Sequence, residues 1–169
     1  MATTTPLAAV NQKMTSFRWT ICLLLFLATT VNYMDRQVLS LTWKEFISPE
    51  FHWTDANYGL ITAVFSIVYA VANLLAGRFI DWMGTKKGYL WAIGVWSAGA
   101  CLHAVCGIAT EGYLGLDSAA GLVQATGDIA VTIATVSVYF FLVARTILAL
   151  GEAGNFPAAI KVTAEYFPK

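Results

Sequence analysis

Four ionisable residues lie where a chain this apolar has no ordinary use for them. Arg145 and Glu152 interrupt the apolar stretch 142–157, and Asp35 and Arg36 follow directly on an apolar run that opens near Trp19. At a bilayer centre each ionised group costs roughly 2.5–3.5 kcal/mol even on lenient insertion scales. A segment tolerates that only if its charges meet water, each other or a substrate. Arg145 and Glu152 are seven residues apart, two helical turns, which sets both side chains on nearly one face about 10 Å apart along the axis. The remaining polar candidates are Tyr33 beside the first pair, Tyr69 and Asn73 in a second apolar stretch, and Asn155 just past Glu152.

Chemistry of other kinds lacks its residues. No Gly-x-Ser-x-Gly turn or glycine-rich phosphate loop occurs, so the chain does not read as an enzyme. His52 and His103 have no partner at metal-ligand spacing. His103 lies on an apolar face and reads as a packed residue rather than a proton relay. Cys22, Cys101 and Cys106 all fall in apolar segments and read as buried free thiols. With zero net charge there is no electrostatic footprint for nucleic acid.

These residues must be positioned by membrane helices. Apolar residues make up 58% of the chain and charged residues 12%, against about 25% charged in a soluble domain, and mean hydropathy is +0.65. The pattern predicts a disordered polar tail over 1–16 and four spans near 17–41, 55–80, 87–108 and 134–164. A connector with proline and mixed charge follows the first span, a short basic turn joins the second and third, and a glycine-rich connector covers 109–133. The fourth stretch is too long for one perpendicular crossing of about 20 residues, so its early part is expected to extend along the interface. A cleaved signal peptide would share the basic flank of the first span, but that run is long and lacks a cleavage site. With the N-terminus inside, Lys13, Arg18, Arg78, Lys86, Lys87, Lys161 and Lys169 fall on the cytoplasmic side and only Lys44 outside. That bias predicts cytoplasmic placement of both ends.

The turn between the second and third spans carries Gly77, Asp81, Gly84, Lys86 and Lys87. Gly77 would permit close helix approach and Gly84 would free the tight turn. Asp81 is placed to meet helix N-terminal amides or a cation, and the lysines to meet the anionic inner leaflet. This sequence resembles the signature between helices two and three of the major facilitator superfamily. Asn32 through Arg36, and Arg145 through Pro157, resemble the anion:cation symporter branch, and within it the chain is most similar to bacterial hexuronate transporters. The resemblance implies an all-α membrane protein: four transmembrane helices, the first part of the six-helix N-terminal half of a twelve-helix fold, with the C-terminal helices missing from this chain. It implies a bacterial inner-membrane carrier whose helices one and four, as counterparts in an inverted repeat, line a central cavity.

By the same resemblance Asp35 and Glu152 match proton-coupling positions, and Arg36 and Arg145 match positions that bind or gate a carboxylate substrate. Tyr33, Tyr69, Asn73 and Asn155 match cavity-facing polar positions suited to sugar hydroxyls. Arginine suits the first task because its planar fork binds both carboxylate oxygens. No cofactor is implied beyond the coupling proton, and the partners are an organic anion and the lipid bilayer. Structural readings stay open beside these. Asp35 with Arg36, or Arg145 with Glu152, could be ion pairs that only hold helices together, and Tyr69 and Asn73 could be packing residues. The cargo could be another sugar acid or a phosphorylated anion, and a non-transporting four-helix scaffold is the alternative of another class.

Overall fold

The computed structural model describes residues 17–116 and 118–167. The expected tail 1–16 and the lysines at 13 and 169 lie outside the described residues. Among those described, the chain is entirely helical, and four helical stretches are long and apolar enough to cross a membrane. The first is α1 (Phe17–Thr42), continued through a π-helical turn (Trp43–Ile47) into α2 (Ser48–Phe51). The second is α3 (Asp55–Met83) and the third α4 (Thr85–Leu114). After a short α5 (Ala119–Gln124), the fourth is formed by α6 (Asp128–Glu152) and α7 (Asn155–Tyr166). Side chains such as Leu74 and Trp82 are more than 80% exposed. In water a surface of this kind would be unstable, whereas lipid accepts it.

The helices begin and end for local reasons. Thr54 caps α3, its hydroxyl accepting from the Asn57 amide. Gly84 sits at φ +81° between α3 and α4, and Gly115 at φ +66° ends α4, both backbone conformations that a side chain disfavours. The first span does not stop at 41 as expected. Pro49 falls in the opening turn of α2, where its missing N–H is tolerated, and the widened π turn before it takes up the irregularity. His52, left-handed at φ +54°, ends the segment.

Two further expectations need correction. The connector set at 109–133 is shorter, because α4 continues to Leu114 and α6 already starts at Asp128. Thr110 explains part of this: its hydroxyl is satisfied by the Cys106 carbonyl, so a polar residue did not mark a helix end. The span drawn as one helix over 134–164 is two, with α6 bearing the long apolar stretch and a break at Ala153–Gly154. There the Gly154 amide bonds back to Gly151, three residues rather than four, and Pro157, in the first turn of α7, has no N–H to offer the Ala153 carbonyl.

Packing centres on α4 against α6, where small residues let the backbones meet. A Cβ on Gly99 would sit 2.6 Å from the Leu148 amide nitrogen, and one on Gly151 would overlap the Trp96 backbone. Gly77, expected to serve close approach, does not: a Cβ there would meet nothing within 4 Å. An aromatic core closes the Gly115 end, where Phe141 takes the edges of Phe51 at 5.6 Å and Trp53 at 4.8 Å. The Trp53 indole N–H donates to Ser137 Oγ at 2.8 Å, and the His52 ring to the Leu122 carbonyl. At the opposite end Phe17 meets Tyr166 and Asp81 meets Lys161, so the start of α1, the α3–α4 turn and the end of α7 lie together. The thiols are not uniformly buried: Cys106 is, Cys22 is half-buried and Cys101 is exposed, on a helix face that lipid can cover.

Candidate functional site

Asp35 and Arg36 are neighbours in sequence, yet successive residues on a helix point about 100° apart. They therefore leave α1 in different directions and do not pair with each other. Arg36 reaches the end of α6, where its Nε donates to Glu152 Oε2 at 2.8 Å. Asp35 turns to α4 and accepts from the Trp96 indole N–H at 2.7 Å. The pairing of Arg145 with Glu152 on their own helix is not made either, since two turns hold them too far apart. The one ion pair inside the bundle among the described residues joins α1 to α6.

Around that pair the guanidinium of Arg36 lies 4.0 Å from the Tyr69 ring centroid and 5.6 Å from that of Tyr33. Phe65 of α3 stands between the two arginines, 6.0 Å from Arg36 and 5.4 Å from Arg145. Ring faces are electron-rich, so they lower the cost of holding a cation out of water. Glu152 is fully buried, and its second oxygen, Oε1, has no hydrogen-bond partner among the described residues. Asn155 is 2% exposed and accepts from the Tyr89 hydroxyl at 2.9 Å, while its amide nitrogen is unpartnered among the described residues. Tyr33 stacks edge-on to Phe156 of α7. These groups form one polar seam along α1, α3, α4 and the α6–α7 junction.

Asn73 is not drawn into the seam by any hydrogen bond among the described residues; its amide donates to the Tyr69 carbonyl of its own helix. Arg145 instead faces the other side of Asp35. The two line a cleft of about 400 Å³ between α1, α2, α4 and α6, together with Thr42, Glu50 and His103. At the opposite end of the bundle, Lys161 donates to Asp81 at 2.7 Å, tying α7 to α3. Thr85 and Glu165 bond beside it, and Lys86 and Lys87 are exposed next to Gly84.

Sequence reasoning missed Trp96, Tyr89 and Phe65. Trp96, an aromatic in an apolar run, taken alone has nothing in the sequence to set it apart from a membrane-interface or core residue, yet it orients Asp35. Tyr89 and Trp96 are seven apart on α4 and share a face, a spacing that could have marked them as two polar-tipped aromatics aimed at one seam. Nothing in the sequence around Phe65 distinguishes it from other apolar residues of α3.

A multi-pass helical bundle with charged side chains within its first and fourth spans defines a class: an integral membrane protein with a polar site inside its span. The sequence matches the Major Facilitator Superfamily over residues 25–169, and the chain belongs to that family of non-catalytic transport proteins. It is 26% identical to a probable galactarate/D-glucarate transporter of Escherichia coli (strain K12), over 99% of this chain and 32% of that protein. A probable galactarate/D-glucarate transporter of Pseudomonas putida is 31% identical over 92% of this chain and 29% of its own length. A hexuronate transporter of Bacillus subtilis (strain 168) is 40% identical over 46% of this chain and 18% of its own. The chain thus spans about a third of the length of the first two of these curated relatives. No solved structure matches it.

Proposed function

We propose that this chain provides the first four helices of a twelve-helix carrier that imports a sugar acid, of the hexuronate class, together with a proton across a bacterial inner membrane. The observation that carries the reading is the Arg36–Glu152 pair, closed between α1 and the end of α6 beneath Tyr69 and Tyr33. A carboxylate entering the seam competes with Glu152 for the guanidinium. Once Arg36 turns to the substrate, Glu152 is a buried carboxylate without its cation, and taking a proton neutralises it. Substrate and proton are thereby coupled: each arrives because the other breaks the pair. Tyr33, Tyr69 and Asn155 surround that position with groups able to bond hydroxyls, and Asn73 stands one turn beyond Tyr69. Arg145 holds the approach on the side of Asp35, a second proton site. The basic residues Arg18, Arg78, Lys86, Lys87 and Lys161 put the Asp81 end in the cytoplasm, where Gly77, Asp81, Gly84 and the lysines form a gate between states. The relatives named for galactarate and D-glucarate make a dicarboxylic sugar acid the rival cargo.

The test is uptake by the complete carrier bearing this segment, reconstituted in vesicles with a panel of labelled hexuronates and aldarates. Glu152→Gln should abolish accumulation driven by a pH gradient while leaving exchange of substrate across the membrane. Retained gradient-driven accumulation removes Glu152 from the coupling, and indifference to every sugar acid removes the cargo.

A further inference from the structure

The cleft beside Asp35 contains a titratable group that the substrate seam does not use. His103 stands on α4 with its Nδ1 2.7 Å from the Gly99 carbonyl. A carbonyl oxygen only accepts, so Nδ1 carries the hydrogen and the lone pair of the neutral ring is on Nε2. Nε2 is buried and has no hydrogen-bond partner among the described residues. An unmet buried acceptor is destabilising, and packing against Phe141, whose centroid is 5.8 Å away, does not call for one. The ring lines the cleft with Asp35 and Arg145 at its inner side and Glu50 at the other. Glu111 lies close enough to interact with Glu50, and His103 interacts with both Asp35 and Arg145.

Position along α4 makes this an ordered series. Trp96, Ala100, His103, Gly107 and Glu111 recur at three- and four-residue steps and so share a face. Trp96 holds Asp35; His103 is about 10 Å further along the axis, and Glu111 about 12 Å beyond that, at 1.5 Å per residue. Gly107 keeps the wall low between them: a Cβ there would already touch Glu50 Oε1 at 3.6 Å and Phe51 at 3.7 Å. The charged groups that line the cleft with the imidazole are therefore Asp35 from α1, Glu50 from α2 and Arg145 from α6, with Glu111 beyond His103 on its own helix, near Glu50. Two carboxylates at the mouth gather protons. One carboxylate at the base receives them. A single imidazole lies midway.

We propose that this cleft is the proton entry route to Asp35 from the Gly115 end of the bundle, with His103 as its relay. Nε2 takes a proton from hydronium in the cleft, releasing water, and the imidazolium gives that proton to the Asp35 carboxylate and returns to the neutral ring. The Nδ1–H stays on Gly99 throughout, so the ring need not change tautomer. The proposal rests on the proton-coupled reading above, and gives His103 a task beyond the packing expected of it.

The test uses His103→Gln, which keeps a polar side chain of similar reach but cannot titrate. In the complete carrier in vesicles, gradient-driven uptake should slow about tenfold or more, while substrate exchange without a pH gradient stays within about twofold of wild type. Uptake equal to wild type overturns the relay. If the wild-type carrier itself shows no gradient-driven uptake, the coupled reading fails and the relay falls with it. If His103→Gln loses exchange as well, nitrogen NMR of the histidine-labelled chain in lipid nanodiscs decides. His103, identified by its missing signal in the variant, should be the Nδ1–H tautomer and take up a second proton at Nε2 when the sample is acidified. An Nε2–H tautomer, or a ring that never takes a second proton, ends the proposal.

Discussion

If Arg36 and Glu152 are the joint between the first and fourth spans, the two should be energetically coupled, and the geometry sets how strongly. The contact is 2.8 Å long, between a carboxylate that is fully buried and a guanidinium side chain that is 21% exposed. Removing one member of a buried pair typically costs about 3–5 kcal/mol, because the survivor is left charged and dry. Glu152→Gln should fall below that range, at about 2 kcal/mol. The glutamine oxygen can still accept from Nε, Arg36 keeps its contact with the Tyr69 ring, and its exposed fifth is screened by solvent. Arg36→Gln should cost about 3 kcal/mol, since the stranded partner is then the wholly buried carboxylate. The double variant should lose less than the sum, leaving a coupling energy of about 1.5–2 kcal/mol, more than a tenfold change in the unfolding equilibrium. Reversible unfolding of the chain in bicelles, for wild type, both singles and the double, supplies the four free energies. Additivity within about 0.5 kcal/mol would refute the reasoning.

Two more expectations can be read in the same unfolding assay. Gly151→Ala places a methyl group on the Trp96 backbone, which cannot rotate away, and should destabilise by about 1–3 kcal/mol; Gly77→Ala, with nothing nearby, should be neutral or stabilising, and equal effects would show that α4 and α6 are not in close contact. Trp96→Phe keeps the ring but removes the donor to Asp35, and should cost about 1–2 kcal/mol. Trp91→Phe, at a side chain 59% exposed, is the control and should cost less than about 0.5 kcal/mol. If the two tryptophan variants behave alike, Trp96 does not orient Asp35.

The four helices, and the residues among them that had to be explained, were legible from composition and hydropathy because lipid imposes a length and an apolarity that few segments meet by chance. Asp35, Arg36, Arg145 and Glu152 stood out for the same reason: a charge in an apolar run is costly wherever the run goes. Local irregularity was less readable. Pro49 stood in an expected connector but was absorbed in the first turn of α2, whereas the break at Gly154 fell within a stretch drawn as one helix, although Gly151, Gly154 and Pro157 stand in it.

What tertiary structure alone decided was the pairing. Sequence offered Asp35 with Arg36 and Arg145 with Glu152, each a pair within one segment; the folded chain instead joined Arg36 to Glu152, residues 116 apart in sequence, and handed Asp35 to Trp96. A helix fixes the direction of each side chain from its own axis, but which partner waits in that direction depends on how neighbouring helices rotate and approach. Here that was set by Gly99 and Gly151, whose missing side chains let α4 and α6 close on each other and bring Trp96 and Glu152 toward α1.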